Sequence, residues 1–309
     1  PTTGERIIRN RETNMGNFVA DAYRETTGAD IAFANGGGIR ADVAKGTVTR
    51  KDLMDVNAFG NTMCVLKVTG QQILDALEWS AHAPLNADGI ALSENGGFMH
   101  TSGLTYEINL HVTESPVITD SQGMYTGIDS SKPRRVQNVM VNGKAIDPDA
   151  TYTLAGSVYT LQNGGDGYSM FKGAEVVKAD CGKDQDLLIQ YLKEDLNGVI
   201  PAEQYGNAYG EGRIKILAAD SEQAHRFVQT ERVEATKEKD GYVKYVCAVC
   251  GEVKTEVLPK LSSGEEETSG IPQTGDNTDL TLWLGLLLVS LAGAAGTVVY
   301  SKKKNRINR

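Results

Sequence analysis

The run Asn35-Gly36-Gly37-Gly38-Ile39-Arg40 places an amide and a guanidinium at the two ends of a glycine loop. It follows Ile31-Ala32-Phe33-Ala34, an apolar run that reads as a buried strand. Three consecutive glycines leave the backbone free to reach positive φ and let a ligand approach closely. At a strand end, that loop is equipped to grip a polar, anionic group. The same residues would also make a plain glycine turn with a solvated arginine, because a glycine loop alone is a weak signal.

Three further segments carry compatible chemistry. Arg9-Asn10-Arg11-Glu12-Thr13-Asn14-Met15-Gly16-Asn17 leads into a helix over 18–23 that Thr13 or Asn14 is placed to cap. Residues 55–61 carry Phe59-Gly60 between a helical stretch and a strand over 63–68. Tyr159-Thr160-Leu161-Gln162-Asn163-Gly164-Gly165-Asp166-Gly167-Tyr168 adds aromatic rings and a carboxylate. Together these segments suit a nucleotide: rings to stack a base, arginines for phosphate, a carboxylate for ribose hydroxyls. Each residue also has a plainer reading. Phe59 fits a core, Asp166 a turn, Arg9 and Arg11 an exposed charged pair of small energetic weight, and Tyr168 packing.

The elements that must hold these loops are legible in outline. Residues 69–79 read as an amphipathic helix capped by Thr69. Residues 103–110 and 136–141 read as strands. Residues 144–152 read as a turn and strand entering the third loop, and 184–197 as a helix.

The combination R-x-R-E-T-N-M-G-N, N-G-G-G-I-R, a Phe-Gly after a helix and G-G-D-G-Y resembles the C-terminal, substrate-recognition domain of 5'-nucleotidases and UDP-sugar hydrolases, from about Arg6 to Ile216. The resemblance implies an α+β fold with a mixed sheet. It also implies roles: Arg9 and Arg40 toward phosphate and ribose, Asn35 on the base beside Gly37, Phe59 as one stacking face, and Asp166 on the ribose hydroxyls. The second stacking face is normally a phenylalanine six residues before that aspartate. Thr160 holds that place here, so the stacking role is expected to shift to Tyr159.

Catalysis in this family belongs to an N-terminal metallophosphoesterase domain whose two divalent metals activate water. The four histidines, His82, His100, His111 and His225, fall in neither an Asp-x-His nor a Gly-Asn-His pattern. The expectation is a nucleotide-recognition part of a longer hydrolase, binding no cofactor itself, with no catalytic residue in this chain. The family equally includes UDP-sugar and 2',3'-cyclic nucleotide hydrolases, and a non-catalytic adhesin could keep the same fold.

A net charge of -9 argues against a nucleic-acid surface. Beyond a first domain over 1–217, residues 218–260 resemble short β-rich repeats of Gram-positive surface proteins and contain Cys247-x-x-Cys250. With one histidine this pair offers three metal ligands, short of a closed tetrahedral site, so zinc, a local disulfide and free thiols all stay open. Cys64 and Cys181 read as single buried thiols.

Residues 261–270 read as a Ser-, Gly- and Glu-rich spacer. Residues 271–309 open with Ile271-Pro272-Gln273-Thr274-Gly275, continue as an apolar run over 280–300, and end in a basic tail. As a helix that run spans about 31 Å, enough to cross a bilayer. The order resembles a sortase sorting signal of the LPxTG type, with isoleucine in place of leucine. It implies cleavage between Thr274 and Gly275, transfer of the Thr274 carboxyl to peptidoglycan, transient membrane insertion, and an extracellular, cell-wall-anchored location. An ordinary tail-anchored helix is the alternative.

Overall fold

A computed structural model describes residues 6–87, 89, 91–218, 227–247 and 253–260. The chain divides into a compact unit, Pro1–Lys260, and a second, Leu261–Arg309. The sorting pentapeptide, the apolar run over 280–300, His225 and Cys250 lie outside the described residues. Among the described residues no helix is long and apolar enough to cross a membrane.

In chain order the first unit runs α1 (Asn14–Thr27), β1 (Ile31–Asn35), α2 (Arg50–Val56), β2 (Met63–Thr69), α3 (Gly70–Ser80), β3 (Met99–Ser102), β4 (Leu104–Asn109), β5 (Val117–Thr119) and β6 (Tyr125–Ile128). It continues with β7 (Val136–Val141), β8 (Lys144–Ala145), β9 (Thr151–Ser157), α4 (Val158–Leu161), β10 (Glu175–Lys178), α5 (Asp184–Gln190), α6 (Ala202–Tyr205), β11 (Ile214–Leu217), β12 (Phe227–Val233), β13 (Gly241–Cys247) and β14 (Val253–Leu258). The main sheet has strand order β10-β2-β9-β1-β3. Only β1 and β9 pair parallel in it; its other pairs are antiparallel. A second sheet runs β11-β4-β7-β8, and β12-β13-β14 form a third, separate sheet.

The main sheet is covered on both faces, and β1 shows why. Its side chains alternate in direction. Ile31 and Phe33 enter one core with Leu66, Leu77 and Tyr106, under α3 and the second sheet. Ala32 and Ala34 enter the other with Phe18, Val19 and Leu188, under α1, α2 and α5. Small residues on that face let α1 lie close.

Helix starts follow local chemistry. The Thr13 hydroxyl, not Asn14, caps α1 by accepting from the Gly16 amide, and Gly28 closes the helix in a left-handed conformation. Thr49 with Asp52 and Thr69 with Gln72 form capping boxes on α2 and α3. The helix expected over 184–197 stops as an α-helix at Gln190 and widens into a π-turn over Tyr191–Asp195. Asn197 and Gly198 then take positive φ, and the Gly198 amide bonds back to the Leu192 carbonyl at 2.7 Å.

The register gathers four strand ends at one edge of the sheet. β1 and β9 run parallel, so Asn35 and the turn after Ser157 leave in the same direction. β2 and β3 run the other way and begin there, with Met63 opposite Ser157 and Met99 opposite Asn35. Loops outside the carboxyl ends of parallel strands are the usual place for a ligand crevice.

Candidate functional site

The loop after β1 is packed between two other backbones. The Gly36 amide donates to the Phe98 carbonyl and the Gly37 amide to the Gly96 carbonyl, both at 2.7 Å. A Cβ on Gly36 would lie 2.0 Å from the Ile8 carbonyl oxygen, and one on Gly37 2.8 Å from that of Gly96. None of the three glycines has positive φ. The expectation of positive φ is therefore corrected: Gly36 and Gly37 are glycine because the turn carrying Arg9 and the strand entering β3 press against them, while a Cβ on Gly38 would lie 2.9 Å from Asn35 Oδ1. Positive φ falls elsewhere at the site, at Gly60, Gly164, Asp166 and Gly167.

This packing collects the arginines. The Arg9 carbonyl accepts from the Asn95 amide at 2.9 Å, and the Arg9 side chain lies 3.9 Å from Glu94. Its buried Nε has no hydrogen-bond partner among the described residues. Arg6 donates to the Ile39 carbonyl at 2.7 Å. Burial and the charges of Arg9 and Arg40 hold the Arg6 guanidinium below its ordinary pKa, against Glu94 and Asp42. Three guanidinium groups thus crowd one side of the loop in a chain that is acidic as a whole. The sequence does not single out Arg6; a lone arginine before the motif gives no spacing signal. Arg11 is not an exposed partner of Arg9: it is buried.

Arg40 donates to the Gly37 carbonyl at 3.2 Å, and its guanidinium lies over the Phe59 ring, 5.7 Å from the centroid. Phe59 is 65% exposed, so it is not a core residue. Leaving a ring in water forgoes the stabilisation that burial would give. It is the kind of exposed aromatic that a ligand covers.

On the other side, Asn35 Nδ2 donates to Asp166 Oδ2 at 2.8 Å and the Tyr159 hydroxyl to Asp166 Oδ1 at 3.1 Å. The Trp79 indole N–H donates to the Asp166 carbonyl at 2.8 Å, and its ring fills the space a Cβ on Gly167 would need. The sequence marks Trp79 only as part of a helix; its role depends on a contact 87 residues distant in sequence. Tyr159 is 45% exposed, whereas Thr160 is 3% exposed, with its backbone N–H donating to the Ser157 hydroxyl. Burial and the neighbouring Asp166 carboxylate raise the Tyr159 phenol. Tyr168 is fully buried, its hydroxyl on the Gly97 carbonyl at 2.5 Å.

Of the histidines, His100 is buried and His82 stacks on Trp79 at 3.9 Å. Among the described residues no group of three or more His, Cys, Asp or Glu is placed to hold a metal. Cys247 is buried at the end of β13, beside Phe227. Cys64 is buried as expected, but Cys181 is only half-buried.

Known proteins share this arrangement of chain. Residues 2–173 match the family described as 5'-nucleotidase, C-terminal domain. The trifunctional nucleotide phosphoesterase protein YfkN of Bacillus subtilis is 35% identical over 214 residues, 67% of this chain and 13% of that protein. The 5'-nucleotidase of Vibrio cholerae is 28% identical over 200 residues, 63% of this chain and 30% of that protein. The structure of a 5'-nucleotidase precursor from Thermus thermophilus superposes with a TM-score of 0.54 at 31% identity, covering 69% of this chain and 37% of that one. The chain therefore spans about an eighth to just over a third of these relatives.

Proposed function

This chain belongs to the family of 5'-nucleotidase C-terminal domains, and we propose that its Asn35–Arg40 edge is the nucleotide-recognition pocket of a phosphoesterase that hydrolyses nucleotides to nucleoside and phosphate. The observation that carries this reading is the pair of exposed rings, Phe59 and Tyr159, on loops that meet at the Asn35–Asp166 hydrogen bond. The base stacks between them, Asp166 receives the ribose hydroxyls, Asn35 and Gly37 line the base side, and Arg9 and Arg40 face the phosphate together with Arg6. Cationic side chains are strong partners for phosphate, and the arginine fork binds two of its oxygens at once.

Phosphate release in this reading needs two divalent metals held by another part of the protein. The residues described here bind and orient the nucleotide. Location follows the C-terminal sequence pattern: IPQTG, an apolar run and a basic tail fit sortase cleavage after Thr274 and attachment to peptidoglycan on the outside of a Gram-positive cell.

Isothermal titration of AMP into the chain tests the pocket. Saturable binding is expected, and no binding at millimolar nucleotide would refute it. A substrate panel of nucleoside monophosphates, UDP-sugars and 2',3'-cyclic nucleotides, run with the full-length protein and added divalent metal, identifies the ester that is cut.

A further inference from the structure

Both oxygens of the Asp166 carboxylate carry a protein donor: Asn35 Nδ2 on Oδ2 and the Tyr159 hydroxyl on Oδ1. The Tyr159 hydroxyl also accepts from the Asp166 backbone N–H at 3.3 Å, so it gives one hydrogen bond to the residue and takes another. The ring lies flat enough on the loop that a Cβ on Gly165 would sit 2.4 Å from Tyr159 Cζ. Asp166 has little freedom to turn a different face: its backbone is in the left-handed region at φ 53, with its carbonyl tied to Trp79.

We propose that the Tyr159 hydroxyl is a specificity-determining group that weakens the pocket's discrimination between ribose and 2'-deoxyribose by holding the Asp166 oxygen that a second sugar hydroxyl needs. The proposal rests on the nucleotide-pocket reading above. A carboxylate that is free on both oxygens rewards a sugar with two adjacent hydroxyls, and a site built to bond a hydroxyl rejects the analogue that lacks it. Here Oδ1 already carries the tyrosine hydroxyl, so a second sugar hydroxyl either displaces it or shares the oxygen's remaining lone pair. Displacement exchanges one hydroxyl–carboxylate bond for another, and sharing offers the sugar a partly satisfied acceptor, so the net gain is smaller than at a free oxygen. Phenylalanine would stack a base equally well and leave Oδ1 free. The tyrosine therefore does something a stacking ring alone does not.

The test is calorimetric titration of the full chain with AMP and with 2'-deoxy-AMP, read as the ratio of the two Kd values. The unmodified protein is expected to prefer AMP by no more than roughly threefold, and Tyr159→Phe to raise that preference roughly tenfold, the size of one charge-assisted hydrogen bond. Loss of ring anchoring weakens both nucleotides alike and cancels in the ratio, so a purely structural role would leave it unmoved. Gly165→Ala gives a second route: its methyl displaces the ring and moves the hydroxyl from Asp166 with the phenol intact, and the ratio should rise there too. A ratio unchanged in both variants overturns the inference while leaving the pocket standing. Failure of the unmodified chain to bind either nucleotide overturns the pocket and the inference together.

Discussion

Arg9 and Glu12 are three residues apart, and the fold uses them in opposite ways. Arg9 reaches the loop edge with a buried donor that no described residue satisfies. Glu12 points inward and accepts from Asn17 Nδ2 at 2.6 Å and from the backbone amides of Glu211, Gly212 and Ile214 at 2.8, 3.1 and 2.9 Å. Asp21, about two helical turns into α1, repeats the pattern, taking two bonds from Arg213 at 2.5 and 2.7 Å and one each from Ser102 and Tyr205. The cleft beside Asp21 is a hollow of about 680 Å³. Its charges are spent on one another, as Arg213 on Asp21 and Glu211 and Arg24 on Glu25 show. The edge at Asn35–Arg40 instead leaves the Arg9 Nε without a partner among the described residues and the Phe59 ring exposed. In the proposed reading that unspent chemistry, and not a large hollow, marks the binding end.

That contrast makes Glu12→Ala the most damaging change. It leaves the buried Ile214 amide and the part-buried amides of Glu211 and Gly212 without an acceptor, and loss of about 3–5 kcal/mol is expected in denaturant unfolding. A loss under about 1 kcal/mol would show that these bonds hold little.

Acid acts on the same framework. His100 Nε2 bonds the Ile8 carbonyl at 2.9 Å beneath the turn that carries Arg9. Phe98 packs on its ring, and burial, with Arg213 nearby, holds its pKa at about 4 against an ordinary 6.5. The unfolded chain then binds the proton more readily between those values, so stability is full above pH 6.5 and falls toward pH 4, by up to about 3 kcal/mol. Unfolding of wild type and His100→Gln at pH 7 and pH 4.5 measures the difference. An equally steep acid loss in the variant would contradict the assignment.

Phe59→Ala should reverse the pattern of Glu12→Ala. Nucleotide affinity should fall roughly tenfold or more, the worth of one stacking face. Folding stability should move by less than about 0.5 kcal/mol, since the ring is exposed. Unchanged affinity, or a clear stability loss, would place Phe59 with the framework instead.

Much of this edge is legible in the sequence because its pieces are short and local. The strand before Asn35, the cap at Thr69 and the β7 strand follow from patterns a few residues long. The expected shift of the stacking role from Thr160 to Tyr159 rests on an aromatic beside a missing one, and the fold buries Thr160 and exposes Tyr159. What escapes depends on distant contacts. Gly36 and Gly37 answer to Ile8 and Gly96, not to torsional need. Trp79 answers to Asp166, and Arg11 turns inward with Glu12, whose partners come some 200 residues later. No local pattern carries those pairings.

The most direct test of the central claim is a crystal structure of the chain grown with AMP. The base should lie between Phe59 and Tyr159, with the ribose at Asp166 and the phosphate toward Arg6, Arg9 and Arg40. AMP seated instead in the Asp21–Arg213 cleft, or missing from the Asn35–Arg40 edge at saturating concentration, would contradict it.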